Sequence, residues 1–496
     1  MTGTTDFASR CQPFTIDLDG HTIHQYRGIK YGSLSRRFAD PEAISYESYA
    51  DKLDCTRFGP ICPQVSTDFH HLLRVPEEIK SLEPKVDQDE FECLNLAITV
   101  PAGARKGLPV MIWIHGGSQV MTFIPASSPC ADNIPFVANS MKQEQPMIVV
   151  YVNYRLNIFA FGDGKGSPNL ALKDQRLAID WTVKHIESFG GDPNNITLAG
   201  ESAGAVHVHA HMLTGAPIQR AILQSGSLHL SPPQDPIRGE GLYTTLGNIL
   251  EKDGLTLSSA PVKDVLGALA ESKVVSMWLQ LTEELSGWET RISHIDQLLI
   301  GDVEYESIIW RNGIETMTAA EIVAAFDSAG DQALQLKSLY NIDADRPSSC
   351  KFGALDFIND TRFTLPVILI RDAYRKAGKS VYHYTFDQAN PWQASSRAHH
   401  AVDLLMLFGN LNLNAAATAV RQEVQDKWLN FCNGQGPWSE DGIYAFGPYG
   451  RCNLITPEEY ESRRRLRPCA FLKQLGSGQY NPIFGKLAAG RISLLN

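Results

Sequence analysis

The segment Gly200-Glu201-Ser202-Ala203-Gly204 is the most informative part of this chain, because it places a serine between two glycines at the junction of two largely apolar runs. Residues 196–199 before it read Ile-Thr-Leu-Ala, and residues 205–208 after it read Ala-Val-His-Val. Where a strand turns sharply into a helix, the two arms pass too close for side chains larger than glycine at these positions. Such a turn pushes the serine Oγ out of the sheet. The segment therefore predicts a nucleophile elbow.

Apolar runs on both sides of this turn indicate a mainly parallel sheet. Strands buried on both faces are predicted at 110–114, 147–152, 196–199 and 221–223. Helical stretches such as 174–188 separate them, and a further strand candidate lies at 381–386. Alternation of apolar and polar residues over 14–18, followed by Asp19-Gly20, predicts an N-terminal hairpin. The fold class is α/β, with helices flanking a mainly parallel central sheet.

Two segments interrupt this alternation of strands and helices. Residues 63–90 form a long segment that contains several Glu and Asp residues, which is consistent with a surface loop. Residues 230–380 are mostly helical in composition, as in a helical cap. We find no internal repeat, low-complexity tract or flexible linker that would divide the chain. We therefore expect one domain over residues 1–496, with insertions.

Composition and charge argue against several classes of protein. Hydrophobic residues make up 43% of the 496, as in an ordinary globular protein. The net charge of -11 argues against a nucleic-acid partner, since the one concentrated basic stretch is Arg463-Arg464-Arg465. No apolar run approaches membrane-spanning length, and the first thirty residues lack an apolar block. We expect a soluble, cytoplasmic protein if Met1 is the native start.

The cysteines and histidines do not form a recognisable metal motif. Nine cysteines are scattered without a CxxC pair, so we expect neither a zinc site nor a dense disulfide framework. His207 and His211 lie four residues apart on the helix predicted after Ser202, a spacing that can hold a metal. No glutamate completes an HExxH arrangement, and a packed or hydrogen-bonded role is therefore favoured. We expect no metal and no cofactor.

A serine hydroxyl needs two partners to act as a nucleophile at neutral pH. A histidine within hydrogen-bond reach takes the proton, and an acid holds the imidazole in the right tautomer. In folds with this elbow the chain order is serine, acid, histidine. Downstream of Ser202, the acid candidates are Asp302, Glu304 and Glu306, and the histidine candidates are His399 and His400.

The stretch from Trp113 to Ser118 predicts donors for a tetrahedral oxyanion. The predicted strand ends near His115, and the glycines that follow let backbone N–H groups point into the site. Each such donor lowers the barrier by roughly 3 kcal/mol. Including the residue after the nucleophile, the candidate oxyanion hole consists of Gly116, Gly117, Ser118 and Ala203.

Blocks spread along almost the whole chain resemble those of type-B carboxylesterases, the family of cholinesterases and fungal lipases. Residues 189–205 are similar to the family's nucleophile signature nearly residue by residue. Further blocks follow the family's order: 59–64 (GPICPQ), 93–96 (CLNL), 152–156 (VNYRL), 174–176 (DQR) and 224–227 (QSGS). The resemblance implies an α/β-hydrolase fold.

The resemblance also assigns roles within the candidate triad. It implies that Ser202 is the nucleophile, Glu306 the acid and His400 the general base. Glu306 is favoured by its distance from Gly301, as in the family's acid-bearing loop. His400 is favoured because Asp403 follows it at the family's spacing.

Residues around the site follow the family pattern in part. Cys62 and Cys93 align with a disulfide of secreted relatives, and the thiol and disulfide forms stay equally open here. The enclosed residues 63–92 are expected to form a lid or a gorge wall. They contain no tryptophan, so choline esters are poor substrate candidates. Ser118 replaces a third glycine, and its amide can still donate.

Other resemblances concern ion pairs and tryptophans. Arg37 with Glu92, and Arg155 with Asp174, resemble structural ion pairs of the family. Three tryptophans are candidates for either an acyl pocket or the core: Trp278, Trp288 and Trp310.

We therefore expect a serine carboxylic ester hydrolase that forms an acyl-enzyme on small to medium organic esters. An intracellular acyl transferase, thioesterase or lactone-forming cyclase of fungal polyketide-type metabolism is a second reading, since the triad does not choose the acceptor and exclusion of water favours transfer. A non-catalytic binding protein on the same fold is the third. The expected partner is a small-molecule ester or thioester, with no nucleic acid or membrane span. Monomer and homodimer stay open.

Overall fold

The computed structural model describes residues 7–45, 52–65, 68–103 and 106–495. The strands in this part of the chain are β1 (Cys11–Leu18), β2 (His21–Lys30), β3 (Gly32–Ser33), β4 (Glu42–Ala43), β5 (Leu53–Cys55), β6 (Asn95–Pro101), β7 (Leu108–Ile114), β8 (Ile148–Val152), β9 (Gly191–Glu201), β10 (Arg220–Gln224), β11 (Gln297–Val303), β12 (Ser380–Phe386), β13 (Ile443–Phe446) and β14 (Cys452–Ile455). Their pattern is the predicted α/β one, because long buried strands alternate with helices along the chain.

One large sheet organises the molecule. Its described strands follow the order β14-β13-β12-β11-β10-β9-β7-β8-β6-β2-β1-β5, while β3 and β4 form a separate two-stranded ribbon. The block from β13 to β8 is parallel throughout, whereas β14, β6 and β2 pair antiparallel with their neighbours. The carboxyl ends of the parallel strands therefore meet at one edge, where ligands bind in open α/β sheets.

The helices in the described residues are α1 (Phe69–Leu73), α2 (Glu77–Lys80), α3 (Ile134–Lys142), α4 (Asn157–Phe161), α5 (Leu170–His185), α6 (Ala203–Leu213), α7 (Ile237–Glu251), α8 (Val262–Ser272), α9 (Arg311–Glu315), α10 (Ala319–Asp327), α11 (Ala333–Leu339), α12 (Pro347–Asn359), α13 (Leu365–Lys376), α14 (Leu404–Leu407), α15 (Ala415–Cys432), α16 (Pro457–Arg463), α17 (Leu466–Leu475) and α18 (Ser477–Ala488). A π-helical turn, Asp360–Thr364, joins α12 to α13. None of the helices in the described residues is both long enough and apolar enough to cross a bilayer.

Two hydrophobic clusters cover the two faces of the sheet. In β7, Met111 and Trp113 belong to one cluster, while Val110 and Ile112 belong to the other. Every residue of β7 and β8 is buried, which explains why these strands read as continuous apolar runs rather than as alternating patterns. The two packed layers hold the strand ends in fixed positions.

The N-terminal hairpin and the central strands agree with the sequence prediction. β1 and β2 pair antiparallel across Asp19-Gly20, where both residues have positive φ. The structure adds strands that the apolar runs did not indicate, including β6 and β11. β11 lies inside the segment 230–380, so that segment contributes a central strand as well as helices α7 to α13.

The segment 63–92 contains the short helices α1 and α2 in its described part, which excludes residues 66 and 67. Phe69, Leu72 and Leu73 are buried against the larger core cluster. The carbonyl of Leu73 accepts a hydrogen bond from Nδ2 of Asn390, at 2.7 Å. The segment is thus packed onto the body of the protein, and its role as a lid stays a prediction.

Candidate active site

Ser202 occupies a strained turn between β9 and α6. Its φ is 54°, a value that favours glycine, and its N–H donates to the carbonyl of Gln224 on β10 at 3.0 Å. A Cβ on Gly200 would lie 2.8 Å from the carbonyl oxygen of Ile114, and one on Gly204 would overlap the same oxygen. Both glycines are therefore required by the close approach of β7 to the turn. This geometry is that of a nucleophile elbow.

The three residues proposed as the triad lie within hydrogen-bond reach of one another. Nε2 of His400 is 2.9 Å from Oγ of Ser202, and Nδ1 of His400 is 2.5 Å from Oε2 of Glu306. The backbone N–H of Val303 donates to the other oxygen of Glu306 at 2.8 Å. All three side chains are buried. The arrangement can pass a proton from the serine to the imidazole while the carboxylate fixes the imidazole's orientation.

The acid and the base are held by two loops that are bonded to each other. Glu306 follows β11 and His400 follows the neighbouring strand β12. The N–H of Tyr305 donates to the carbonyl of Ala398 at 2.8 Å, and the N–H of His400 donates to the carbonyl of Tyr305 at 3.2 Å. We call this pair of hydrogen bonds the Tyr305 clasp. It couples the position of the imidazole to that of the carboxylate.

The other candidates for acid and base have different partners. Asp302 pairs with Arg464, whose Nε lies 3.0 Å away, and the same guanidinium bonds to Asp387 at 2.8 Å. Glu304 pairs with Arg397 near the surface. Nε2 of His399 lies 3.0 Å from Nδ2 of Asn390, and burial lowers the pKa of this histidine to about 4. Among the acid and base candidates, the structure brings Glu306 and His400 together with Ser202.

Besides Glu306, Glu201 is a second carboxylate in contact with His400, and it was not predicted as a site residue from the sequence. Its Oε1 lies 3.3 Å from Nε2 of His400, and neither carboxylate oxygen has a hydrogen-bond partner in the described residues. Burial raises the pKa of Glu201 to about 8, with smaller contributions from Asp403 and Glu306. The sequence did contain a signal for this role, because Glu201 directly precedes Ser202 in the elbow pentapeptide.

The pKa of His400 is set by opposing effects. Burial lowers it, but the charges of Glu201, Glu306 and Asp403, together with the hydrogen bond to Glu306, raise it to about 9. Asp403 accepts a hydrogen bond from Nε2 of Gln224 at 2.9 Å, and burial raises the pKa of Asp403 to about 6. The site therefore strongly favours the imidazolium, which forms when a base accepts the serine proton.

The glycine loop after β7 lies directly against the elbow. A Cβ on Gly116 would lie 3.2 Å from Cβ of Ser202, and Gly117 has a φ of 121°. Within the described chain, the N–H groups of Gly117, Ser118 and Ala203 donate no hydrogen bond. The ring of His115 stacks on that of Tyr154, with 4.4 Å between the ring centroids. The hydroxyl of Tyr154 donates to the carbonyl oxygen of His115 at 2.7 Å. These contacts hold the loop that carries the candidate oxyanion donors.

A cavity of about 450 Å³ opens at Ser202. Trp278 and Trp310 lie in its wall, whereas Trp288 lines a neighbouring cavity. The described lining residues come from several segments: the glycine loop, the elbow and α6, 230–238, 273–278, 309–310 and the C-terminal part of the chain around α18. None of them comes from 63–92. The cavity also includes Arg362, on the π-helical turn. Neither Arg362 nor α18 was predicted from the sequence to be part of the site.

Two predictions about structural side chains had different outcomes. Arg155 and Asp174 form a buried ion pair at 2.6 Å, as predicted. The pairing of Arg37 with Glu92 was wrong, because Arg37 pairs with Glu90 at 2.6 Å. Glu92 instead contacts Lys30.

The remaining polar candidates are buried in the core. His207 and His211 each approach the side chain of Gln175 at 2.9 Å, one at its amide nitrogen and the other at its oxygen. Burial lowers the pKa of both histidines to about 3. Cys62 and Cys93 are buried free thiols, and a hydrogen bond to Cys62 together with burial raises the pKa of Cys93 well above its usual value.

Comparison with known proteins relates most of this chain to one family. Residues 14–238 and 293–455 match the model of the carboxylesterase family. The chain is similar to Lipase 3 of Yarrowia lipolytica, with 28% identity over 471 residues that cover 90% of this chain and 93% of the relative. It is 30% identical to Lipase 1 of the same yeast, over 86% of this chain and 87% of the relative.

A bacterial enzyme shows a similar extent of likeness. Para-nitrobenzyl esterase of Bacillus subtilis is 28% identical over 491 residues, covering 90% of this chain and 95% of the relative. The matches span the strands that carry Ser202, Glu306 and His400, and they agree with the large, mostly parallel sheet. The chain therefore belongs to the carboxylesterase family, and it is a carboxylesterase-type hydrolase with the α/β-hydrolase fold.

Proposed function

We propose that the protein hydrolyses small to medium carboxylic esters through an acyl-enzyme on Ser202. The observation that carries the proposal is the continuous relay from Oγ of Ser202 to Nε2 of His400, at 2.9 Å, and from Nδ1 of His400 to Glu306, at 2.5 Å. A serine with this pair of partners is activated when His400 is neutral, because Nε2 can then accept the serine proton.

In the first half of the reaction, Oγ of Ser202 attacks the ester carbonyl carbon and its proton moves to Nε2 of His400. The tetrahedral intermediate collapses when the C–O bond to the alcohol breaks, and His400 returns the proton to the leaving alkoxide. In the second half, a water molecule attacks the acyl-enzyme and gives its proton to His400. The acid is released and the proton returns to Ser202.

The oxyanion of both tetrahedral intermediates would be bound by backbone N–H groups of the glycine loop and of Ala203. These amides have no other acceptor in the described residues, and Gly116 lies against the serine. Ala203 is the first residue of α6, so the positive end of that helix adds to the stabilisation. Ser118 contributes its amide where relatives usually have glycine.

Covalent labelling tests the nucleophile directly. A fluorophosphonate should modify Ser202 in the native protein, as located by mass spectrometry of peptides, and should leave the Ser202→Ala protein unlabelled. Phenyl acetate should be hydrolysed by the native protein and not by Ser202→Ala. A folded protein that is neither labelled nor active on phenyl acetate would favour a binding role and contradict the proposal.

Product analysis separates hydrolysis from acyl transfer. With phenyl hexanoate in buffer that contains methanol, we expect hexanoic acid to be the main product. Methyl hexanoate formed in large excess over acid would favour an acyl transferase instead. A hydroxyacyl thioester that gave lactone rather than hydroxy acid would favour the cyclase alternative.

A further inference from the structure

Arg362 is a buried cation in the wall of the cavity that contains Ser202. The residue is 4% exposed and lies on the π-helical turn Asp360–Thr364. Such turns inside helices occur frequently at functional sites. The adjacent Phe363 contacts the ring of His400, with 5.6 Å between the ring centroids. Arg362 is thus one residue away from a neighbour of the general base.

The charge of Arg362 is not neutralised by the protein. No carboxylate within the described chain lies within 4.0 Å of its nitrogens, and the nearby Asp360 pairs with Arg465 at 2.8 Å. Nη1 donates to the carbonyl of His229 at 3.0 Å, whereas Nε has no partner in the described residues. The guanidinium carbon lies 3.5 Å from the centre of the Phe484 ring. These contacts fix the side chain without supplying a counter-charge.

An unpaired buried cation is costly, and its persistence calls for an explanation. Burial lowers the pKa of Arg362 to about 9, so the side chain is still protonated at neutral pH. Guanidinium groups bind carboxylates through directed, charge-assisted hydrogen bonds. An anionic ligand in the cavity would supply the missing partner.

The rest of the cavity wall has the same sign of charge. The described lining residues include Arg238 and Lys273 beside Arg362, and they include no aspartate or glutamate. Neither Arg238 nor Lys273 takes part in an ion pair within the part of the chain that the structure describes. The whole chain has a net charge of -11, so this concentration of positive charge differs from the protein's average. A cleft lined by one sign of charge attracts ligands of the other sign.

We propose that Arg362 binds a carboxylate of the substrate, and that the preferred substrates are esters that carry this anionic group in their acyl or alcohol part. This inference rests on the proposed function. Arg362 acts as a specificity-determining residue: it holds one end of the substrate while the ester carbonyl lies at Ser202. If Arg362 only packed against Phe484, its substitution would change kcat/KM by the same factor for anionic and neutral esters.

Matched pairs of phenyl esters test the inference. The acyl pair is monophenyl adipate and phenyl hexanoate, and the alcohol pair is 4-acetoxybenzoate and phenyl acetate. In each pair one ester is anionic at pH 7.5 and the other is neutral. The kcat/KM values are measured by release of the phenol for the native protein, Arg362→Met, Arg362→Lys and a control, Arg371→Met. Arg371 is an arginine of α13 that bonds to Asp372 and His383, outside the cavity.

The expected result is a preference of the native protein for the anionic ester in at least one pair. Arg362→Met should lower the ratio of anionic to neutral kcat/KM by about tenfold or more, with neutral esters changed by less than about threefold. Arg362→Lys should keep part of the preference, and Arg371→Met should keep all of it. The pair that shows the effect identifies which side of the ester carries the carboxylate.

The inference is overturned if the ratio is the same in the native protein and Arg362→Met for both pairs, whether or not the individual kcat/KM values decline. A native protein that hydrolyses none of the four esters contradicts the proposed function, which is a separate result. In that case, calorimetric titrations of Ser202→Ala with monophenyl adipate and with 4-acetoxybenzoate decide the inference. Binding of at least one of them should weaken by about tenfold when Arg362→Met is added, and unchanged binding of both would refute the inference.

Discussion

The contact between Glu201 and His400 makes a specific prediction about the pH dependence of the enzyme. Glu201 is the first among the groups that raise the pKa of His400, and its carboxylate lies 3.3 Å from Nε2. The substitution Glu201→Gln removes the charge and keeps the shape. Because a nearby negative charge stabilises the imidazolium, its removal should lower the pKa of His400.

The size of the effect follows from the shift at His400. The rise from 6.5 to about 9 is a net effect, because burial alone would lower the pKa of His400, so the effects that raise it sum to more than about 3 kcal/mol. The charge of Glu201 is the largest of the four effects that raise this pKa, and its share is on the order of one pKa unit. A general base acts in its unprotonated form, so kcat/KM rises as pH increases through the pKa. The midpoint of that rise should therefore move to lower pH by about one unit in Glu201→Gln.

The assay is kcat/KM for phenyl acetate between pH 5 and pH 10. Glu201 and His400 interact strongly, so the midpoint in the native protein belongs to the pair rather than to one residue. Glu271→Gln serves as the control, because Glu271 is exposed on α8 and pairs with Lys252 at the surface. A midpoint in Glu201→Gln that stays in place or moves to higher pH would refute the reasoning.

Three further substitutions test the site and the fold. Ser202→Ala should lower kcat on phenyl acetate by about 10⁴-fold or more with an unchanged circular dichroism spectrum, and residual activity near the native level would exclude Ser202 as nucleophile. Gly204→Ala should lower the free energy of unfolding in urea by about 1–3 kcal/mol, because the new Cβ would overlap the backbone of the β7 end. The control Gly241→Ala, in open space on α7, should leave the stability unchanged or raise it, and equal effects of the two substitutions would contradict the packing argument. Arg464→Met should cost about 3–5 kcal/mol, because the buried Asp302 loses its ion-pair partner, whereas Asp387 keeps its pair with Arg463. A loss below about 1 kcal/mol in urea unfolding would refute this.

The parts of the fold and site that the sequence predicted depend on local patterns. The elbow was predictable because Gly200, Ser202 and Gly204 stand within five residues, and their spacing reflects one tight contact with β7. The central strands were predictable because burial on both faces requires continuous apolar runs. Glu306 and His400 became candidates through their order and their resemblance to family blocks, and the structure places both beside Ser202.

The parts that the sequence did not predict depend on contacts between distant segments. Arg362 belongs to the site because a π-helical turn, the glycine loop and α18 share one cavity, and no local pattern indicates this. Glu92 was assigned to Arg37 by analogy, whereas Glu90 occupies that position and Lys30 contacts Glu92. The lid role of 63–92, the cap role of 230–380, a cytoplasmic location and the oligomeric state stay predictions.

The Tyr305 clasp has a consequence for how this enzyme can diversify. Because its two hydrogen bonds join the acid loop to the base loop, Glu306 and His400 can keep their mutual alignment while residues of the cavity wall change. The serine belongs to a separate support, the turn between β9 and α6. Substitutions should therefore be tolerated least where the Tyr305 clasp and the turn between β9 and α6 meet. Substitutions that are meant to broaden the substrate range are best placed in the cavity wall. Replacing Tyr305 by proline would remove one of the two donors and should misalign the relay.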